Sequence, residues 1–115
     1  MKTVHTVPME VYSPKPNGGF ELEPHEVGWA TEALAMVYVR EIHGAAPQLE
    51  LRPQISVDGV RWIDGPNAFP TITKPGGYSL ALSQFGNWLR LVGTVSGGPE
   101  GGEPAMIVDL YWVLK

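Results

Sequence analysis

The sequence predicts an all-β fold, an antiparallel β-sandwich or jelly-roll-like barrel of about seven or eight short strands. Three observations carry this. Gln48 to Val57 alternates, with apolar residues at odd and polar residues at even positions, the period of a half-buried strand. Fourteen Gly and eleven Pro separate the apolar runs, as turns require. Charged residues make up only 17% of the chain, too few for the solvated faces of a helical bundle.

At 115 residues the chain has the length of one domain, and we read 1–115 as a single unit with one core. An extended N-terminal arm is expected over about 1–19. Val4 to Tyr12 is strand-prone with Pro8 restricting it to an edge, and Ser13 to Gly19 reads as a linker or long turn. Phe20 to Pro24 follows as a short strand. Thr31 to His43 admits two readings. Ala, Leu, Met and Glu favour helix, whereas Leu34, Met36, Tyr38, Arg40 and Ile42 recur with a period of two, and Val37-Tyr38-Val39 favours strand. The β character of the flanking segments favours strand.

The strand at 48–57 is expected to lie at an edge or to bulge at Pro53, which has no N–H to donate. Asp58-Gly59 suits a tight hairpin turn, with Val60 to Ile63 as the returning strand and Leu49, Leu51, Ile55 and Val57 on one buried face. Phe69 to Thr73, Tyr78 to Leu82 and Trp88 to Val95 read as further strands. The Gly/Pro-rich stretch 96–104 has nothing apolar to bury and is expected to be a mobile loop. Met106 to Leu114 is the last strand, and it is apolar at both parities apart from Asp109. If Met106, Val108, Leu110, Trp112 and Leu114 fill the core, then Ile107, Tyr111 and Val113 should meet a second surface.

Several functions are argued against. A net charge of −4 with eight scattered basic residues gives no stripe for phosphates, so direct nucleic-acid binding is not expected. No apolar run has the length of a membrane span, and the N-terminus lacks the apolar core of a signal peptide, so a cytoplasmic location is the default expectation. There is no cysteine, hence no disulfide, thiolate site or cysteine nucleophile. His5, His25 and His43 stand far apart and outside metal-binding spacings. Asp58 and Asp64 are explained by turn chemistry. Ser79, Ser83 and Ser96 lack a nucleophile-elbow context. We therefore expect no enzyme, no metal and no cofactor.

What remains is a surface for partners. Trp29, Trp62, Trp88 and Trp112 are numerous for this length. They suit core packing or, where exposed, a stacking platform for sugar rings. Trp62, Trp88 and Arg90 are the better surface candidates, since interfaces are enriched in Trp and Arg. With Ile107, Tyr111 and Val113 they form the candidate interface or binding set.

Two resemblances rest on these residues. Ser56-Val57-Asp58-Gly59-Val60-Arg61-Trp62 resembles the Asp-box turn of sialidases, but it lacks the residue between Asp and Gly and occurs once, so sialidase activity is not implied. A longer course runs through Ala33–Tyr38, Leu49–Trp62, Gly77-Tyr78 and Trp88-Leu89-Arg90. It resembles the small β-sandwich structural proteins of tailed bacteriophages over about half the chain. That resemblance implies a capsid-decoration or tail accessory role. The partners would be the chain itself as a homo-oligomer, or a major capsid or tail protein, and the location would be the virion. The rival expectation is a carbohydrate- or ligand-binding module that uses exposed Trp residues.

Overall fold

The computed structural model describes residues 4–115. Nine strands are present among them: β1 (His5–Pro16), β2 (Gly18–Glu21), β3 (His25–Glu26), β4 (Glu32–Ile42), β5 (Gln48–Ser56), β6 (Ile63–Asp64), β7 (Gly76–Ser83), β8 (Trp88–Ser96) and β9 (Pro104–Leu114). No helix occurs among the described residues, so none is long and apolar enough to cross a membrane. The strands form two antiparallel sheets packed face to face. One has the order β1-β9-β4-β7; the other has β2-β8-β5-β6, with β3 also paired to β8.

The core is the pair of facing inner surfaces. From β9 it takes Met106, Val108, Leu110, Trp112 and Leu114, and from β8 Leu89, Leu91 and Val95. From β5 it takes Leu49 and Leu51. The ambiguous segment 31–43 is strand β4, but the parity that points inward is Ala33, Ala35, Val37 and Val39. Leu34, Met36 and Tyr38 face outward. Size explains the choice. Ala35 lies directly opposite the fully buried Trp112, and a small side chain beside that indole leaves it room. Gly93 does the same for Phe20: a Cβ there would lie 2.5 Å from Phe20 Cζ and 2.9 Å from Leu51 Cδ2.

Four expectations can be set against the structure. The edge strand expected within Val4 to Tyr12 is present, but β1 pairs along β9 from His5 as far as Pro16, through residues read as a linker, with bulges between Pro8 and Glu10 and between Glu10 and Ser13. The hairpin at Asp58-Gly59 is wider than a two-residue turn. Pairing resumes only at Ile55–Ile63 and Gln54–Asp64, and Val57 is exposed. The cause is Asp58, whose Oδ1 accepts from the amides of Val60 and Arg61, both at 2.9 Å, and so takes those donors away from a ladder. Of the edge and the bulge expected at Pro53, the structure has the edge: β5 pairs with β8 in continuous register, and β6 pairs only Gln54 and Ile55 on the other side. Residues 49, 51 and 53 turn their polar backbone groups to the other edge. There Ile72, Phe69 and Gly65 cover them, and a missing N–H on Pro53 costs no ladder bond to β8. Finally, the loop after β8 is anchored at its start. Asn17 accepts from the Gly98 amide at 2.8 Å and donates to the Gly98 and Pro99 carbonyls.

Candidate functional site

The outer faces of the two sheets are built differently. On the four-stranded sheet, β9 presents Ile107, Tyr111 and Val113, all half-buried, between β1 and β4. Cross-strand register sets Val113 beside Thr6 and Leu34, and Tyr111 beside Pro8 and Met36. Ala81 and Ser79 of β7 continue these two rows. Tyr38 and Tyr111 meet edge to face, with centroids 6.0 Å apart. Val4, Val11, Tyr12 and Tyr38 are exposed. A groove of about 400 Å³ runs along one end, lined by Val4, Leu34, Ala81, Leu82 and Val113 with Lys115 at its rim.

A buried charge lies within this apolar face. Asp109 is only 3% exposed, yet it is paired throughout. Arg40 reaches Oδ2 with Nε at 2.7 Å and Nη2 at 2.6 Å, and the Tyr12 amide donates to Oδ1 at 2.7 Å. The Arg40 hydrogen bond, aided by that amide, holds the Asp109 carboxyl below its ordinary value despite burial. Tyr12 adopts φ 51°, which places its amide on Asp109 and its ring 3.6 Å from the Arg40 guanidinium carbon. The result is a fixed clamp in the middle of the patch.

The outer face of the five-stranded sheet is polar and internally paired. Arg90 donates from Nε at 2.9 Å and Nη2 at 2.7 Å to Gln54 Oε1, and from Nη1 to Glu21 at 3.3 Å. Its guanidinium lies 4.4 Å from the centre of the Trp62 ring. Asp64 accepts from Arg52 and Gln54, both at 3.0 Å, and these contacts hold its carboxyl below the usual range. Glu21, Arg52, Gln54, Arg90 and Thr94 surround a groove of about 470 Å³ floored by Val92 and Gly93.

The six residues singled out from the sequence therefore fall on three places. Ile107, Tyr111 and Val113 share one outer face. Trp62 and Arg90 lie together on the opposite face. Trp88 stands apart, half-buried beneath Gly59, whose Cβ would lie 3.0 Å from its ring. Neither Trp62 nor Trp88 offers an open ring: one carries Arg90 and the other the Asp58 turn. Trp29 is 52% exposed but packs edge-on against His5, with centroids 4.8 Å apart. Sequence reasoning missed Leu34, Met36, Tyr38 and Tyr12 on the apolar face, and Glu21, Arg52 and Gln54 in the groove. The period-two run of Leu34, Met36 and Tyr38 held the signal for three of these, but it served only to weigh strand against helix and not to assign a face.

The Asp58 turn is a closed structural unit. Ser56 Oγ accepts from the amides of Asp58 at 3.2 Å and Gly59 at 2.8 Å, and Arg61 Nε lies 2.8 Å from Asp58 Oδ2. The Arg61 and Val60 amides, with the Arg61 guanidinium and the Ser56 hydroxyl, press the Asp58 carboxyl far below its ordinary value. Among the described residues no three His, Asp or Glu side chains gather as metal ligands would. His5, His25 and His43 sit on β1, on β3 and just past β4.

No family model matches the chain, and no curated protein sequence does either. Solved structures resemble it in fold. A protein of the T13 IBDV viral particle superposes with a TM-score of 0.58 at 12% identity over 97% of this chain, which spans 30% of that protein's length. The SPBc2 prophage-derived protein YomS gives 0.52 at 8% identity, covering 99% of this chain and 96% of YomS. The CBM36-1 domain of a xylanase from the hindgut metagenome of Trinervitermes trinervoides gives 0.53 at 8%, covering 96% of each. Viral structural proteins and carbohydrate-binding modules thus share this β-sandwich, and at such identities the likeness is one of fold.

Proposed function

We propose that this chain is a non-enzymatic assembly protein that docks through the outer face of the β1-β9-β4-β7 sheet, on its own copies or on a major capsid or tail protein of a phage particle. The observation that carries the reading is the apolar row of Val113, Tyr111, Leu34 and Met36, uncovered within the chain and stiffened by the Asp109–Arg40 clamp. An antiparallel sheet that faces water on one side keeps polar residues there, and a contiguous apolar patch marks a contact surface. Burying Ile107, Tyr111 and Val113 removes about 200–300 Å² of apolar surface, on the order of 5–8 kcal/mol gross. Association entropy takes back much of that, so a full interface near ~1,600 Å² has to recruit the β4 residues and Tyr12 as well. The viral and prophage-derived fold neighbours support the virion as its setting.

The double variant Tyr111→Ser, Val113→Thr tests this. Light scattering should give the wild-type chain a multiple of 12.5 kDa, or co-sedimentation should place it on assembled particles, with the variant losing mass or particle association at unchanged circular dichroism. A wild-type chain that stays monomeric at high concentration and joins no particle would overturn the proposal.

A second reading draws on the opposite face. The groove bounded by Glu21, Arg52, Gln54 and Arg90, beside Trp62, offers planar donors and acceptors next to an aromatic ring, the chemistry that recognises a neutral saccharide. The fold likeness to a xylanase's CBM36-1 domain supports it. Titration with xylan oligosaccharides, followed by tryptophan emission, tests it: a saturable change abolished by Gln54→Ala supports the reading, and an unchanged spectrum rejects it.

A further inference from the structure

Edge strands expose unpaired backbone donors and acceptors, and proteins guard them with prolines, charges, bulges or covering loops. Three of the four sheet edges here are guarded. β1 carries Pro8, Pro14 and Pro16 and is bulged. The outer edge of β5 is covered by the two-residue β6 and by backbone bonds to Gly65, Phe69 and Ile72. β8 is flanked by β2 and β3, of four and two residues, too short to template a partner. β7 differs. It runs eight residues as Gly-Gly-Tyr-Ser-Leu-Ala-Leu-Ser with no charge and no proline. Among the described residues nothing pairs with it on the side away from β4.

From this we infer that β7 is a self-pairing edge: two copies join β7 to β7, antiparallel, across a two-fold axis perpendicular to the sheet. The inference rests on the assembly reading and names its first partner, a second copy of this chain. Several observations favour that occupant. The chain carries −4 net charge, so like copies repel except where the meeting edge is uncharged, as β7 is. An antiparallel pairing of one strand with itself is self-complementary and closes at two. Head-to-tail growth through β1 is blocked by its prolines. With a perpendicular axis, both apolar outer faces fall on the same side of one eight-stranded sheet, so the patch of Leu34, Met36, Tyr111 and Val113 is doubled and continuous.

The geometry restricts the register. Paired residues in an antiparallel sheet point to the same side, so the axis passes through a residue and its own copy, and the registers that pair the most of β7 centre on Ser79 or on Leu80. Under the first register Ser79 faces itself. Under the second it faces Ala81. Both side chains are exposed on the outer face, and opposed Cα atoms lie ~4.5–5.5 Å apart, within disulfide reach.

Because the chain has no cysteine, the double variant Ser79→Cys, Ala81→Cys should oxidise quantitatively to a disulfide-linked dimer under either register. A Glu100→Cys control, on the loop after β8, should link at least tenfold more slowly. Separately, Ser79→Lys with Ala81→Lys should reduce the solution mass from twice 12.5 kDa to one copy, at unchanged circular dichroism and melting temperature. Oligomers that survive the lysine variant but dissolve in Tyr111→Ser, Val113→Thr would overturn β7 pairing and leave the assembly reading standing. A monomeric wild-type chain that still decorates particles would do the same. Open-ended aggregates in place of a discrete dimer would overturn the closed geometry.

Discussion

The inner faces of the two sheets are alike and the outer faces are not. Both inner faces are aliphatic, with one indole, and interdigitate as close packing demands. Outside, the β1-β9-β4-β7 sheet shows half-buried Tyr, Val, Leu and Met around the Asp109–Arg40 pair. The β2-β8-β5-β6 sheet shows Arg, Gln, Glu and Asp already bonded to one another. The fold requires the inner faces and leaves the outer ones unconstrained. A self-satisfied polar surface gains little by leaving water, while an apolar one gains with every Å² covered. This asymmetry is the reason the proposed docking face is the first sheet.

The sharpest way to break the comparison lies within β9. Trp112 and Tyr111 are adjacent in sequence but on opposite faces. Trp112→Ala should cost ~3–5 kcal/mol, because it opens a cavity against Ala35, Leu110 and Leu114 that rigid strands cannot close. The unpartnered indole Nε1 offsets part of that cost, since its desolvation penalty goes with it. Tyr111→Ser should cost about 1 kcal/mol in a chain held monomeric. Urea unfolding at equal slope checks both. Equal losses would mean that the outer face is core in its own right.

A smaller effect belongs to Asp109. In Asp109→Asn, the Arg40 guanidinium and the Tyr12 amide keep a neutral acceptor at best, and the loss should be about 1.5–3 kcal/mol. The sign with pH follows from the depressed carboxyl. Its contribution is complete above the unfolded carboxylate's ordinary value of about 4 and is lost as pH falls through the lower folded value. Wild type should therefore lose stability on acidification below about pH 4 more steeply than the variant. Parallel curves would show that the clamp carries no charge-dependent stability.

How much of this was legible in the sequence depends on what each residue's neighbours decide. Alternation in 48–57, the strand at 88–95 and the apolar strand at 106–114 are local patterns, and the strands stand where those patterns put them. The half-buried Ile107, Tyr111 and Val113 followed from a second apolar parity with nothing of its own to cover. The parity of β4 was not legible, because Ala33 and Ala35 point inward only on account of Trp112, some 77 residues away along the chain. Nor was the wide Asp58 turn, where one carboxylate outcompetes a hairpin for two amides. The pairing of Arg90 with Trp62, Gln54 and Glu21 joins three segments and has no local signature at all.

That pairing gives the smallest effect. Arg90→Lys keeps the charge but removes the planar fork that holds Gln54 and the flat face that covers Trp62. Arg90 is mostly buried at 16% side-chain exposure, so the loss should be measurable, at about 1 kcal/mol. It should also be nearly independent of salt, since the Glu21 partner is exposed and its share is already screened. Trp62 emission should shift to the red as water reaches the uncovered ring. Association through the opposite sheet should be unaffected, and light scattering on the same samples checks this. If the mass in solution changed instead, the two outer faces would not be independent surfaces. The polar face would then belong to the interface, and the division of labour drawn from their chemistry would fail.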